Sequence, residues 1–221
     1  MDLEFWHDKW DNSEIGFHLA DVNPYLIRHW DSLNSTSNDS VFVPLCGKSK
    51  DLIWLSERAK RVIGAELSQK AVEDFFNENN LKPVITEHGP FIQYQNGNIT
   101  ILCGDFFQLT PADLDGCRFV YDRASLIAFP PIMRNAYVEK LNELLVNESQ
   151  RLLVTLEYPQ HEMCGPPFSV PLEEIRVYFS DQFDIKQLET KSILEKAQRF
   201  KDKGVTSMFE HVYVLNRKYG S

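Results

Sequence analysis

Apolar residues recur along this chain in two rhythms. A short continuous run at 41–43 reads as a strand buried on both faces, and the largely apolar stretches 61–65 and 117–121 read as further strands. Elsewhere the apolar positions fall three and four apart, as on helices. Pro24 opens a helix through Trp30, with Tyr25, Leu26 and Trp30 placed to pack. Leu52, Ile53, Leu55 and Ala59 space the face of a second helix that Ser49 can cap, and Ser68 caps a third that runs to Asn80. Pro131 starts a long helix through Val146 with Tyr137, Leu141, Leu144 and Leu145 in step. Residues 172–179 read as helical, and so do residues 2–11, where Trp6 and Trp10 share a face.

Residues 91–94 and 98–102 flank the turn signal Gln95-Asn96-Gly97, while 83–90 reads as irregular. A strand at 151–156, a proline-rich loop at 158–171 and two late strands at 183–188 and 208–215 complete the chain. Strands alternating with helices, then two late strands, predict an α/β fold. Its sheet is mainly parallel, with helices on both faces and an antiparallel edge strand. The polar linker at 34–40 is too short to divide domains, so residues 1–221 form one domain.

One stretch is chemically specific. VFVPLCGKSKDLIWLSERAKRVIGAE reads as strand, tight turn, helix and strand, ending on Glu66. An acid about twenty residues after the turn sits where parallel-sheet nucleotide binders grip ribose hydroxyls. Gly47-Lys48-Ser49 echoes a phosphate loop, but Phe42 stands where the first glycine belongs. No two of the ten glycines are two residues apart, so the dinucleotide pattern is missing as well. A ribose acid without a phosphate cradle suits S-adenosylmethionine, which carries no phosphate. Such sheets bind ligands over the carboxyl ends of their strands. Residues 45–47, Glu66, residues 104–106 and Asp122-Arg123 all fall at strand ends.

Composition removes other classes. With 23 Lys and Arg against 32 Asp and Glu, the net charge is −9, which gives no electrostatic case for nucleic acid or an anionic membrane. Basic residues around 186–203 alternate with acids and read as a solvated face. Cys46, Cys103, Cys117 and Cys164 form no C-x-x-C pair and no zinc spacing, so no metal is expected. Cys103 and Cys117 read as core thiols. The amino terminus has no signal-peptide pattern and no apolar run reaches membrane-spanning length; a cytoplasmic protein is expected.

The chain resembles the thiopurine S-methyltransferase family, of the bacterial type. The matching pieces are W-x-x-x-W at Trp6 and Trp10, I-G-F-H at 15–18, V-P-L-C-G-K-S at 43–49, D-R-A-S-L at 122–126 and G-P-P-F at 165–168. The likeness runs from about residue 4 to residue 216. It implies a class I S-adenosylmethionine-dependent methyltransferase, Rossmann-like, with a seven-stranded sheet. The implied activity is methyl transfer to the sulfur of aromatic or heterocyclic thiols such as thiopurines, by a monomer acting on a small molecule. Its cofactor contacts fall here on Trp6, Trp10, Leu45, Gly47, Glu66, Asp105, Phe106 and Arg123. Its substrate neighbours fall on Phe17 and Arg199. Asp105 stands where animal members carry a small hydroxyl residue, and a carboxylate there can accept the adenine amino group.

Methyl transfer from a sulfonium mainly requires alignment of donor and acceptor. Aromatic thiols ionise readily, so no dedicated strong base is expected, in keeping with the lack of a Ser-His-Asp or Cys-His arrangement. Arg123 is the candidate catalytic group, favouring the thiolate or holding the methionine carboxylate; a structural ion pair with Asp122 is the competing role. Residues 1–33 are expected to form a cover that excludes water, with Trp10 offering an aromatic face to the sulfonium and Trp6 packing. His18 is a possible pocket residue, and the loop of Pro166, Pro167 and Phe168 is either a rigid wall of the acceptor pocket or a plain packed loop. Methylation of selenium or tellurium compounds, and a non-catalytic adenosyl-ligand sensor, are the alternatives; a nicotinamide oxidoreductase is disfavoured by the missing glycines.

Overall fold

The computed structural model describes residues 6, 8–10, 12, 16, 18–114 and 116–218. In chain order its elements are α1 (Pro24–His29), β1 (Ser40–Val43), α2 (Asp51–Ser56), β2 (Arg61–Glu66), α3 (Gln69–Glu78), β3 (Val84–His88), β4 (Phe91–Asn96), β5 (Ile99–Cys103) and α4 (Pro111–Leu114). There follow β6 (Phe119–Arg123), α5 (Pro131–Leu144), β7 (Gln150–Glu157), α6 (Leu172–Phe179), β8 (Phe183–Ser192), α7 (Gln198–Lys201) and β9 (Phe209–Arg217).

The strands join one sheet in the order β3-β4-β5-β2-β1-β6-β7-β9-β8. From β5 to β7 every pairing is parallel. β9 runs antiparallel to both β7 and β8. The seven strands from β5 to β8 are the expected sheet, and the β3–β4 hairpin extends it antiparallel beside β5. Residues 83–90 were expected to be irregular, and there the structure differs. All five residues of β3 are exposed, so no apolar alternation marks the strand; main-chain pairing to β4 creates it.

Apolar runs on the central strands follow from burial on two sides. In β1, Phe42 faces one core with Val120 of β6 and Tyr137, Val138 and Leu141 of α5. Val41 and Val43 face the other, with Tyr25 and Leu26 of α1, Leu52 and Leu55 of α2 and Phe75 and Phe76 of α3. Ser68 caps α3 through its hydroxyl, which accepts from the Ala71 amide at 3.3 Å. Ser49 acts two residues before α2, ahead of the N-cap Lys50, accepting from the Asp51 amide at 3.2 Å. Cys46, Cys103 and Cys117 are buried free thiols. Burial pushes the Cys103 thiol up to about 11 and Cys46 further, so neither is a nucleophile at neutral pH.

The expected cover divides in two. Tyr25, Leu26, Trp30 and Leu33 are core residues, so residues 24–33 belong to the packed body. Among the described residues of this segment, earlier positions (Trp6, Lys9, Trp10, Gly16 and Leu19) reach the cavity described next. Among the described residues no helix is long and apolar enough to cross a membrane.

Candidate functional site

A cavity of about 1070 Å³ opens over the carboxyl ends of the parallel strands. Each strand contributes through the residues that end or follow it: Leu45 and Gly47 after β1, Glu66 and Leu67 at β2, Gly104 to Phe107 after β5, Arg123 and Ala124 at β6, and Val154 to Leu156 in β7. Because β9 is reversed, its first residues reach the same edge, and Glu210 joins the wall.

The rim is built from constrained backbone. Leu45 and Ala124, neither a glycine, hold positive φ of 45° and 67°, a conformation that costs roughly 1–2 kcal/mol per residue. Neighbouring bonds fix it. The Ser125 hydroxyl donates to the Pro44 carbonyl at 2.8 Å, joining the ends of β1 and β6, and the Cys46 amide donates to the Ala65 carbonyl at 2.9 Å. Gly47 follows with φ +54°, and a β-carbon there would lie 3.1 Å from Cζ2 of Trp10. Trp10 itself is 3 % exposed, its indole filling the space over this turn.

Glu66 is buried, and its carboxylate is already oriented. Oε2 accepts from the Gly47 amide and Oε1 from the Ser68 amide, each at 2.8 Å. Burial raises its pKa, and the amides of Ser68, Gly47 and Leu67 oppose that rise. Two bonds leave acceptor capacity on both oxygens for a ligand's vicinal hydroxyls. Lys48, the false phosphate-loop lysine, turns to α3 instead and bonds Glu78 at 2.6 Å. Asp105 caps the short turn at Phe106–Gln108, accepting from the Phe107 amide at 3.0 Å. The Phe106 ring packs on Phe42 and Tyr137 while still bordering the cavity.

Asp122 and Arg123 part company, as neighbours on a strand must. The buried Asp122 carboxylate accepts from the Tyr137 hydroxyl at 2.7 Å and the Leu126 amide at 3.3 Å. Arg123 lines the cavity. Arg199 lines it too, donates to the Gly16 carbonyl, and has its pKa lowered by burial and by the charge of Arg123. The expected solvated face at 186–203 is thereby corrected in its last part. Ile193, Lys196, Arg199, Phe200 and Lys203 border the cavity, because α7 and the turn before it fold over the sheet edge.

The structure thus brings together Trp6, Trp10, Leu45, Gly47, Glu66, Asp105, Phe106, Arg123 and Arg199. Phe168 is not in the wall: its ring packs back on Gly165 and under the Arg134 guanidinium, while Pro166 and Pro167 border the cavity. His18 stands outside the wall as well, its pKa lowered by burial and by Lys48, Arg123 and Lys50. Phe17 lies outside the described residues. Glu210 and Thr155 escaped the sequence reading, Glu210 because only carboxyl ends of strands were searched and β9 presents its amino end. Among the described residues no group of three or more His, Cys, Asp or Glu is placed to hold a metal ion.

Comparison with known proteins agrees with this geometry. The family model described as thiopurine S-methyltransferase matches residues 1–218. A thiopurine S-methyltransferase of Pseudomonas fluorescens is 48% identical over 215 residues, covering 97% of this chain and 99% of the relative. One from Shewanella woodyi is 47% identical, covering 99% and 100%. A solved S-adenosylmethionine-dependent methyltransferase from Anabaena variabilis superposes with a TM-score of 0.67 at 16% identity, over 98% of this chain and 95% of its own. A Burkholderia thailandensis 1,6-didemethyltoxoflavin-N1-methyltransferase, solved with S-adenosylhomocysteine bound, gives 0.63 at 11% identity, over 98% and 87%. These two share the fold.

Proposed function

The chain belongs to the thiopurine S-methyltransferase family, and from that premise we propose that it moves the methyl group of S-adenosylmethionine to the sulfur of an aromatic or heterocyclic thiol. One arrangement supports this above all: a single cavity runs from the buried carboxylate of Glu66 to the guanidinium groups of Arg123 and Arg199. The chain's own groups fit the donor. Glu66 takes the ribose hydroxyls, Asp105 and Phe106 border the adenine, and Leu45 and Gly47 lay backbone beside the amino-acid portion. The donor, when bound, supplies an electrophilic methyl on a sulfonium.

What remains for the protein is placement and exclusion of water. Trp10 closes the cavity over the Gly47 turn and offers the sulfonium an aromatic face. Apolar Ile127, Phe129, Met133 and Phe200 accommodate an aromatic ring at the other end. Among the described residues, five cations line the wall (Lys9, Lys196, Lys203, Arg123 and Arg199) against three acids, Glu66, Asp105 and Glu210. That excess, in a chain of net charge −9, favours an acceptor that reacts as an anion. Calorimetry with S-adenosylhomocysteine, followed by a screen of aromatic thiols for S-methylation, tests the reading. Cofactor binding with transfer to thiols is expected. Binding without transfer to any acceptor would make the protein an adenosyl-ligand sensor.

A further inference from the structure

The cavity wall poses a question about protons. Among the described residues that line it there is no histidine, cysteine or tyrosine, and its lysines and arginines are cations. Among these described residues, Glu66, Asp105 and Glu210 are the ones that can accept a proton. Glu66 is committed to two backbone amides and Asp105 to the Phe107 amide, both over the β2–β5 half of the sheet. Glu210 stands on the other half, beyond Arg123.

Strand register places it further. Arg123 is opposite Val154 and Leu156 is opposite Glu210. Residues opposite one another, or two apart on one strand, share a sheet face. Arg123 and Glu210 therefore lie on one face, on either side of β7, about 10 Å apart across the strands. Both side chains border the cavity, as do Val154 and Leu156 between them on β7.

We propose that Glu210 is the general base of the transfer, accepting the proton of acceptors that reach the site as thiols. This rests on the sulfur-methylation reading above. In the step, the acceptor sulfur bonds to the methyl carbon while that carbon's bond to the sulfonium sulfur breaks. The S–H proton passes to the Glu210 carboxylate and on to water, leaving a neutral thioether product and neutral S-adenosylhomocysteine sulfur. Acceptors already ionised need no such help; weakly acidic thiols do.

Polar groups from three neighbouring elements surround Glu210. Lys191 is opposite it on β8, and the hydroxyls of Tyr25 on α1 and Tyr121 on β6 lie near enough to feel its charge, Tyr25 in company with Arg28 and Glu189 and Tyr121 with Arg123 and Asp51. The Tyr25 phenol, whose ionisation is suppressed by burial and by its hydrogen bond to Glu210, acts there as a donor to the carboxylate.

The test is Glu210→Gln in the full chain, assayed with aromatic thiols of graded acidity across pH. Loss of roughly a hundredfold or more is expected for the least acidic thiol, shrinking toward none for a thiol already ionised. Glu210→Asp should recover part of the loss, and serves as the main variant if Gln does not fold. Calorimetric affinity for S-adenosylhomocysteine should be unchanged. In that complex the bound thiol's own titration, read from thiolate absorbance, should shift when the carboxylate is removed. An equal loss for every acceptor, full activity with all of them, or an unmoved bound-thiol titration would overturn the assignment. Failure of the wild-type protein to methylate any thiol would instead remove the reading on which it rests.

Discussion

The hydroxyl of Ser125 donates to the carbonyl of Pro44 over 2.8 Å, across 81 residues of chain. That buried bond ties the end of β6 to the end of β1, between two residues held at positive φ. Ser125→Ala leaves the carbonyl unsatisfied, so a loss of about 1–3 kcal/mol is expected in chemical denaturation. Cofactor affinity should fall as well, because Leu45 and Arg123 lose their fixed spacing. Unchanged stability would show that water replaces the hydroxyl at no cost.

Gly47→Ala meets two obstacles, a φ of +54° and the Trp10 ring at 3.1 Å. We expect about 1–2 kcal/mol of destabilisation from the backbone alone. A change in tryptophan emission should accompany it as Trp10 is pushed from the turn. An emission spectrum identical to wild type would mean that the ring does not rest there.

Glu66 links binding to pH. Its folded pKa is raised, so between the unfolded and folded values the native state holds the extra proton. Its contribution to stability therefore declines as pH rises through that window. Ribose recognition needs the carboxylate, so cofactor affinity should fall as pH drops through the same window. Glu66→Ala should lower affinity for S-adenosylhomocysteine at least tenfold, since charge-assisted bonds contribute about 1.5–3 kcal/mol each before water compensates. Titration calorimetry of both proteins from acidic to neutral pH checks the size and the sign.

Arg123 and its charge can be separated by substitution. If the guanidinium favours an acceptor thiolate, Arg123→Ala should slow transfer most at low pH, and Lys should restore much of the rate. If it clamps the methionine carboxylate, the defect should appear in cofactor affinity at every pH, with poor rescue by Lys. Steady-state kinetics of the three proteins distinguish the roles, and normal kinetics for the Ala variant would remove Arg123 from the mechanism.

Deleting residues 1–18 removes Trp6, Trp10 and the Gly16 carbonyl that Arg199 holds, but none of the strands β1 to β9. The protein should keep its circular dichroism and lose turnover. Retained full activity would sink the idea of a water-excluding cover.

The parallel half of the sheet was legible because burial on two faces writes an uninterrupted apolar run, as in residues 41–43. Three residues of its cavity wall followed from the rule that ligands sit at strand ends, which located Glu66, Asp105 and Arg123 together. β3 was illegible, since an edge strand exposed along its whole length needs no pattern of its own. Lys196 and Lys203 read as ordinary surface because local sequence does not say which way a short turn folds. Phe168 misled for a related reason: the chain reverses at Gly165 and turns the ring toward Arg134.

The reversed strand also sets an order of assembly. Among the described residues β8 has one partner, β9, which follows it in sequence. During synthesis β8 waits as an unpaired segment until β9 emerges and slots between it and β7. The wall that carries Glu210 arrives in the same event. The part of the cavity lined by Glu66 and Asp105 can form early, while the part lined by Glu210 is completed only once β9 has been made.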